Sequence, residues 1–162
     1  MTSARRPARL SPKADPIAEA VRYLARGDRS AAQVQRHLAG RGFSGTAIRR
    51  ALRTLQRLGY VDDKAVALRV AEARLARRPM AREALAAELE ARGFSAGAVA
   101  LAVEHAYGGL SDEDVAQRLL KSLPRQFSDP VREGRRRVGL LRGRGFSADV
   151  SESVLGVTAN HS

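Results

Sequence analysis

The sequence predicts an all-α fold, an elongated and curved array of three tandem three-helix repeats. The first observation behind this is a tetrapeptide, RGFS, which stands at residues 41–44, 92–95 and 144–147, at intervals of 51 and 52 residues in a chain of 162. The second is that, with each motif Phe as origin, apolar residues recur in the flanking segments at offsets of three and four, the period of one helix face. The third is composition. The chain is 44% hydrophobic but only 4% aromatic and has no Trp, so Leu, Val, Ile and Ala must fill its core. A unit of about 50 residues filled in that way buries little by itself, so the units are expected to stack and share a core.

The elements follow in order. Residues 1–15, with Pro7, Pro12 and four cations, read as a flexible basic N-terminal arm that ends at Pro16. The repeats occupy 16–61, 62–110 and 111–158. Their first helices carry Ile17, Ala20 and Leu24, then Leu68, Ala71 and Leu75, then Leu120, Leu123 and Phe127, at matching distances before the motif Phe. Their second helices run into the motif, with Leu38, Leu89 and Leu141 five residues ahead of each Phe. A Gly directly after a helix supplies the left-handed residue C′, and in a Schellman ending the next side chain packs back on C3. Gly42, Gly93 and Gly145 then stand at C′, Phe43, Phe94 and Phe146 at C″, and Leu38, Leu89 and Leu141 at C3. Ser44, Ser95 and Ser147 fall where the third helix needs an N-cap. RGFS is thus expected to be a corner, its Arg a solvated side chain favoured by the helix dipole. Third helices are marked by Ala51 and Leu52, Ala102 and Val103, and Val154 and Leu155. The third repeat is the least regular. Pro124 interrupts its first helix, Gly134 and Gly139 weaken its second, and Ser151 replaces the apolar Ile48 and Val99, so looser packing is expected there.

Charge narrows the function. The formal net charge is +12, of which +7 falls in residues 16–61 and none in 62–110. Arg supplies 26 of the 29 cations. Such an excess suits a polyanion or an acidic protein surface. The absence of cysteine excludes disulfides, thiolate metal sites and a Cys nucleophile. With no long apolar run and no secretory leader, the chain reads as a soluble cytoplasmic protein without a membrane partner. Catalysis finds no support: His37, His105 and His161 lack metal-ligand spacing, and no GxSxG, Walker or HExxH pattern occurs. No cofactor is expected. The acids Asp62, Asp63, Asp112, Glu113 and Asp114 gather where repeats two and three begin, and helix capping accounts for them better than a metal site.

Candidate binding residues concentrate in the third helix of repeat one. Ile48, Leu52 and Leu55 form its inward stripe, while Arg49, Arg53 and Arg57 recur every four residues with Arg50 beside them. Cations so close repel at about 0.2–0.5 kcal/mol per neighbouring pair, which an anionic partner would offset. Arg22, Arg26 and Arg29 extend the patch. A second cluster, Arg132, Arg135, Arg136 and Arg137, points around a helix, so at most two of its adjacent members share a face. Tyr23, Tyr60 and Tyr107 are too few for a base-stacking platform. Any nucleic-acid contact should therefore be to phosphates and salt-sensitive.

Laid out as repeats, the residues resemble the RecX family, regulators of the recombinase RecA. YLARGDRSAAQVQRHLAGRGFSGTAIRRALRTLQRLGYVDD at 23–63 looks like that family's first repeat, including the Arg29-Ser30 entry and the Gly-Tyr-x-Asp-Asp exit. LAAELEARGFSAGAVALAV at 85–103 and LLRGRGFSADVSESVL at 140–155 resemble its second and third. The resemblance spans residues 16–157 in order. It implies a non-enzymatic regulator that binds RecA, lies along the groove of the RecA filament on single-stranded DNA, lowers ATPase, strand-exchange and coprotease activity, and touches DNA. A monomer is expected. A helix, an RGFS corner and an Arg-rich third helix also look like a helix-turn-helix, so the alternative is a regulator that binds double-stranded DNA.

Overall fold

The computed structural model describes residues 14–156. Among them are nine helices and no strand: α1 Pro16–Leu24, α2 Ala31–Gly40, α3 Gly45–Arg57, α4 Asp63–Arg77, α5 Arg82–Ala91, α6 Ala96–Tyr107, α7 Asp112–Ser122, α8 Pro130–Gly143 and α9 Ala148–Leu155. The helices pack chiefly within triplets, α1–α3, α4–α6 and α7–α9. The basic arm lies outside the described residues except for Ala14 and Asp15. Asp15 is the N-cap of α1: its side chain accepts the Ile17 amide at 2.9 Å, and Pro16 opens the helix with a preset φ.

The three RGFS corners form as the spacing predicts. Gly42, Gly93 and Gly145 have φ of 90°, 88° and 80°, a region open to glycine and strained for other residues. The amides of Phe43, Phe94 and Phe146 donate to the carbonyls of Leu38, Leu89 and Leu141 at 3.2, 3.4 and 3.1 Å. The glycine amides donate to Ala39, Glu90 and Arg142 at 3.0, 2.8 and 3.0 Å. These two bonds define the Schellman ending and satisfy carbonyls that the helix leaves orphaned. Ser44, Ser95 and Ser147 then accept from Ala47, Ala98 and Val150, capping α3, α6 and α9.

The motif also joins the repeats. The Arg92 carbonyl accepts a hydrogen bond from Oγ of the fully buried Ser30, the N-cap of α2. One repeat later the Arg144 carbonyl accepts the amide of Ala81, the N-cap of α5, at 3.0 Å. At both joints the glycine lies against a helix of the preceding repeat. A Cβ on Gly145 would stand 2.7 Å from that of Ala84, and one on Gly93 would meet Ala32 closer still. A carboxylate completes each joint. Asp63 accepts the Ala31 amide at 2.7 Å and Asp112 that of Arg82 at 3.0 Å, so the first helix of one repeat caps the second helix of the one before. Asp62 and Ser111 cap α4 and α7, and Asp114 closes a capping box with Ser111. The acids at 62–63 and 112–114 thus serve helix ends. Among the described residues no cluster of His, Asp and Glu suits a metal ion.

The expectation of one continuous core is only half met. Repeats two and three share a core running from Val66 to Val150, whereas repeat one has its own, built on Ala20, Val34, Leu38, Ile48, Ala51, Leu55 and Val61. The second joint is also sealed by Tyr107, 1% exposed, whose hydroxyl donates to the Met80 carbonyl and lies 3.0 Å from Asp112. Burial, with the Asp112 carboxylate second, pushes that phenol well above its ordinary range. Arg144 departs from the solvated role expected of the motif's Arg. It is half-buried, and its guanidinium donates to the Pro79 carbonyl at 3.0 Å.

The third repeat departs from the common register at Pro124. A residue before Pro avoids the helical region, and Leu123 is extended with ψ of 131°, so α7 ends at Ser122. Leu123 and Phe127 therefore lie off the helix on which the repeat spacing places them. Asp129 and Pro130 begin α8 about one turn earlier than α2 and α5 begin relative to their motifs, and α8 runs unbroken through Gly134 and Gly139. Ser151 is accommodated in its apolar position because its Oγ donates to the Ser147 carbonyl at 2.8 Å. Glu133, 3% exposed, ties the irregular segment down: it accepts from the amides of Gln126 and Phe127, both at 3.2 Å, and from Arg136 and Arg137 at 2.6 and 2.8 Å.

Those arginines, Arg136 first, hold the Glu133 carboxyl far below its usual 4.5. A carboxyl depressed on folding contributes stability that is complete above its unfolded pKa and is lost as pH falls towards the folded value. Glu133→Gln is therefore expected to melt lower than the parent near neutral pH and to fall less steeply between about pH 5 and pH 2. Circular-dichroism melts across that range check it, and parallel acid limbs for the two proteins would refute it.

Candidate partner-binding surface

Among the described residues, α3 carries a dense group of cations that remain unneutralised. Its buried stripe is Ile48, Ala51 and Leu55, with Leu52 half-buried beside it. At about 100° per residue, Arg49, Arg50, Arg53 and Arg57 fall within an arc of about 100° on the opposite side. All four are exposed, and among the described residues none has a carboxylate within ion-pair distance. Arg49 leans over the start of the helix, with one guanidinium nitrogen 3.4 Å from the Thr46 hydroxyl. The first turn of α3 contains no acid, and the guanidinium of Arg49 reaches back over it, so its charge adds to the positive end of the helix dipole instead of opposing it. That local cost concentrates positive potential at one helix end, open to solvent.

The neighbouring cations divide. Arg26 is exposed and has no described ion-pair partner. Arg22 is held by Glu19 at 2.7 Å, and the same carboxylate takes His37 at 2.9 Å and Arg41 at 3.4 Å. The Arg22 bond, then His37, draws the Glu19 carboxyl down to about 2 against the opposing effect of burial. Arg29 is half-buried with its guanidinium 5.0 Å from the centre of the Tyr23 ring, which stacks on His37 at 4.0 Å. Its Nε is buried without a hydrogen-bond partner. Glu19 therefore ties α1 to α2 through His37, while Arg22 and Arg29 are held against α1 as well as adding charge.

In the second cluster the structure separates adjacent residues. Arg136 and Arg137 turn inward to Glu133, and Arg136 also reaches the Pro124 carbonyl at 3.1 Å. Arg132 lies over the Phe127 ring at 4.7 Å. Arg135 is exposed. The sequence singles out neither Leu58 nor, beyond base stacking, Tyr60 as a contact residue, yet they are 59% and 57% exposed just beyond Arg57. An exposed Leu and Tyr beside unpaired arginines have the composition of a protein contact. The available signal was that Leu58 follows the last turn of α3 in a Leu-Gly-Tyr run.

No described helix is long and apolar enough to cross a membrane. The sequence model for the first three-helix domain of RecX matches residues 18–63, which hold most of α1, all of α2 and α3, and the cationic surface. The regulatory protein RecX of Mycobacterium ulcerans is 31% identical over 137 residues, spanning 83% of this chain and 79% of that protein. RecX of Thermobifida fusca is 32% identical over 132 residues, 81% of this chain and 71% of its own. In three dimensions the crystal structure of RecX from Lactobacillus salivarius superposes with a TM-score of 0.72, covering 87% of this chain and 92% of that one at 17% identity, a likeness of fold. With relatives this similar over most of their length, the chain belongs to the RecX family of regulatory proteins.

Proposed function

We propose that the protein binds RecA and RecA filaments on single-stranded DNA and lowers their ATPase, recombinase and coprotease activities. The observation that carries this reading is the exposed, acid-free face of α3, in the triplet that the RecX first-domain model matches. Four guanidinium groups held by a rigid, capped helix offer fixed donors to phosphates or carboxylates, and a repeating filament would engage an extended array at several points. Binding several ligands along one repeating partner multiplies affinity without any single contact being strong. Leu58 and Tyr60 would supply the desolvated contact at the end of the cationic face, and Arg26 would widen it.

The test is a titration of the purified full chain into RecA, single-stranded DNA and ATP at fixed salt. Hydrolysis should fall, and the protein should co-sediment with the filaments; unchanged rates with no co-sedimentation would overturn the reading. A second reading rests on α2, the RGFS corner and α3, with Arg49 and Arg50 near the start of the helix that a helix-turn-helix presents to a groove. It requires a preferred duplex sequence, and selection from random duplex DNA that enriches none would reject it.

A further inference from the structure

The joint between the first and second repeats and the joint between the second and third each carry a groove, and the two are built from corresponding positions. Counted from the start of the helix, Val66 and Arg69 are the fourth and seventh residues of α4 and line the first, and Val115 and Arg118 hold the same places in α7 and line the second. Leu24 and Leu75, matched residues near the ends of α1 and α4, form part of each floor. In the first groove the chain supplies its own acid. Asp28 accepts two hydrogen bonds from the Arg69 guanidinium, at 2.9 and 3.2 Å, and the cavity is about 360 Å³. The residue at the corresponding place in the second repeat, fifteen before the motif Phe, is Pro79.

The second groove is consequently larger, about 720 Å³, and its cations are left over. Arg77, Arg118 and Arg144 line it, and among the described residues none of them has a carboxylate in ion-pair range. Glu72, the acid on its wall, is engaged by His105 at 2.7 Å. Burial, then the neighbouring cations Arg78 and Arg74, lowers the Arg144 guanidinium from its ordinary value. The floor is aliphatic: Leu75, Leu110, Val115 and Leu119 line it, and no aromatic ring is present to stack a base.

We propose that this groove binds an acidic peptide segment of a partner protein, its carboxylates on Arg118, Arg77 and Arg144 and an aliphatic side chain on the Leu75–Leu119 floor. The internal precedent is the Asp28–Arg69 pair, which shows what the same architecture accepts when it is filled. Arg118 is expected to form the carboxylate fork that Arg69 forms one repeat earlier. The site is separate from the α3 surface and does not rest on the recombinase reading.

The experiment uses the full chain and a fluorescein-labelled peptide, Glu-Glu-Asp-Leu-Leu-Asp-Glu, followed by anisotropy at low salt. Arg118→Glu removes the central cation from an exposed position. Pro79→Asp installs the missing internal acid and should close the groove from within. Each variant is expected to weaken binding by at least about tenfold while retaining helicity and melting temperature, and a Lys-for-acid control peptide should not bind. Three results would overturn the proposal. These are no saturable binding of the peptide up to about 1 mM, an affinity unmoved in Arg118→Glu, or displacement of the peptide by a thymidine oligonucleotide whose own binding needs Arg118. Since RecA is absent from the assay, its failure leaves filament inhibition to be judged separately.

Discussion

Replacing Gly93 by Ala is expected to destabilise the protein by about 2–5 kcal/mol, and two separable costs make up that figure. The left-handed backbone at φ 88° costs an L-residue about 1–2 kcal/mol. The new methyl would also be driven into Ala32 of α2, and overpacking of this kind costs about 1–3 kcal/mol. Gly59 separates the terms: it has φ of 78° with no atom near its would-be Cβ, so Gly59→Ala should show only the first. Ala32→Gly in the Gly93→Ala background should recover the second, less about 1 kcal/mol for a Gly near the start of a helix. Gly145→Ala repeats the test against Ala84.

The two joints should fail differently. Repeat one has a separate core, so a loosened first joint should release residues 16–61 as a unit, visible as early hydrogen exchange across α1 to α3. Repeats two and three share a core, so Gly145→Ala should lower one common transition. Chemical denaturation and exchange mass spectrometry read both outcomes. Equal losses at Gly59 and Gly93, with no recovery by Ala32→Gly, would show that backbone conformation alone fixes these glycines.

What sequence could and could not show follows from the range of the interactions. The corners were legible because a Schellman ending is local: Leu38, Gly42 and Phe43 lie within six residues, and three copies agree. The joints were not, because Ser30 meets a carbonyl 62 residues away and Ala31 a carboxylate 32 away, distances to which no helical period is sensitive. Periodicity also misled where a local constraint outweighed it. Leu123 and Phe127 sit at the expected offsets, yet Pro124 removes them from the helix. Within the site, the face of α3 could be read because its stripe and its cations share one element. The inward turn of Arg136 and Arg137 depends on Glu133 being buried, which a polar helical segment does not announce. The cations of the second groove come from α4, α7 and the third corner, so an even charge balance in residues 62–110 conceals Arg77.

Charge reversal at Arg49, Arg53 and Arg57 together should abolish inhibition of a RecA filament while leaving the fold intact. The pairs at Arg49 and Arg53 and at Arg53 and Arg57 stay like-charged after reversal, so their repulsion is unchanged, while Arg53→Glu gains Arg50 three residues earlier, worth a few tenths of a kcal/mol. Arg49→Glu would suit the positive end of the dipole and Arg57→Glu would oppose the negative end, so the net effect on stability should stay within about 1 kcal/mol. Binding should respond far more. If each reversal at an anionic contact costs about 1 kcal/mol or more, three together weaken affinity roughly a hundredfold. The loss should shrink as salt rises, because screening removes what the substitutions removed. Arg136→Glu supplies the opposite case. It strands Glu133 beside a second acid and severs a bond to the Pro124 carbonyl, so melting temperature should drop, while affinity per folded molecule stays near that of the parent. Affinity lost without stability at α3, and stability lost without affinity at α8, would separate the surface that meets a partner from the one that holds the third repeat closed. Full inhibition by the triple variant would remove α3 from the interface, and impaired binding by well-folded Arg136→Glu would restore α8 to it.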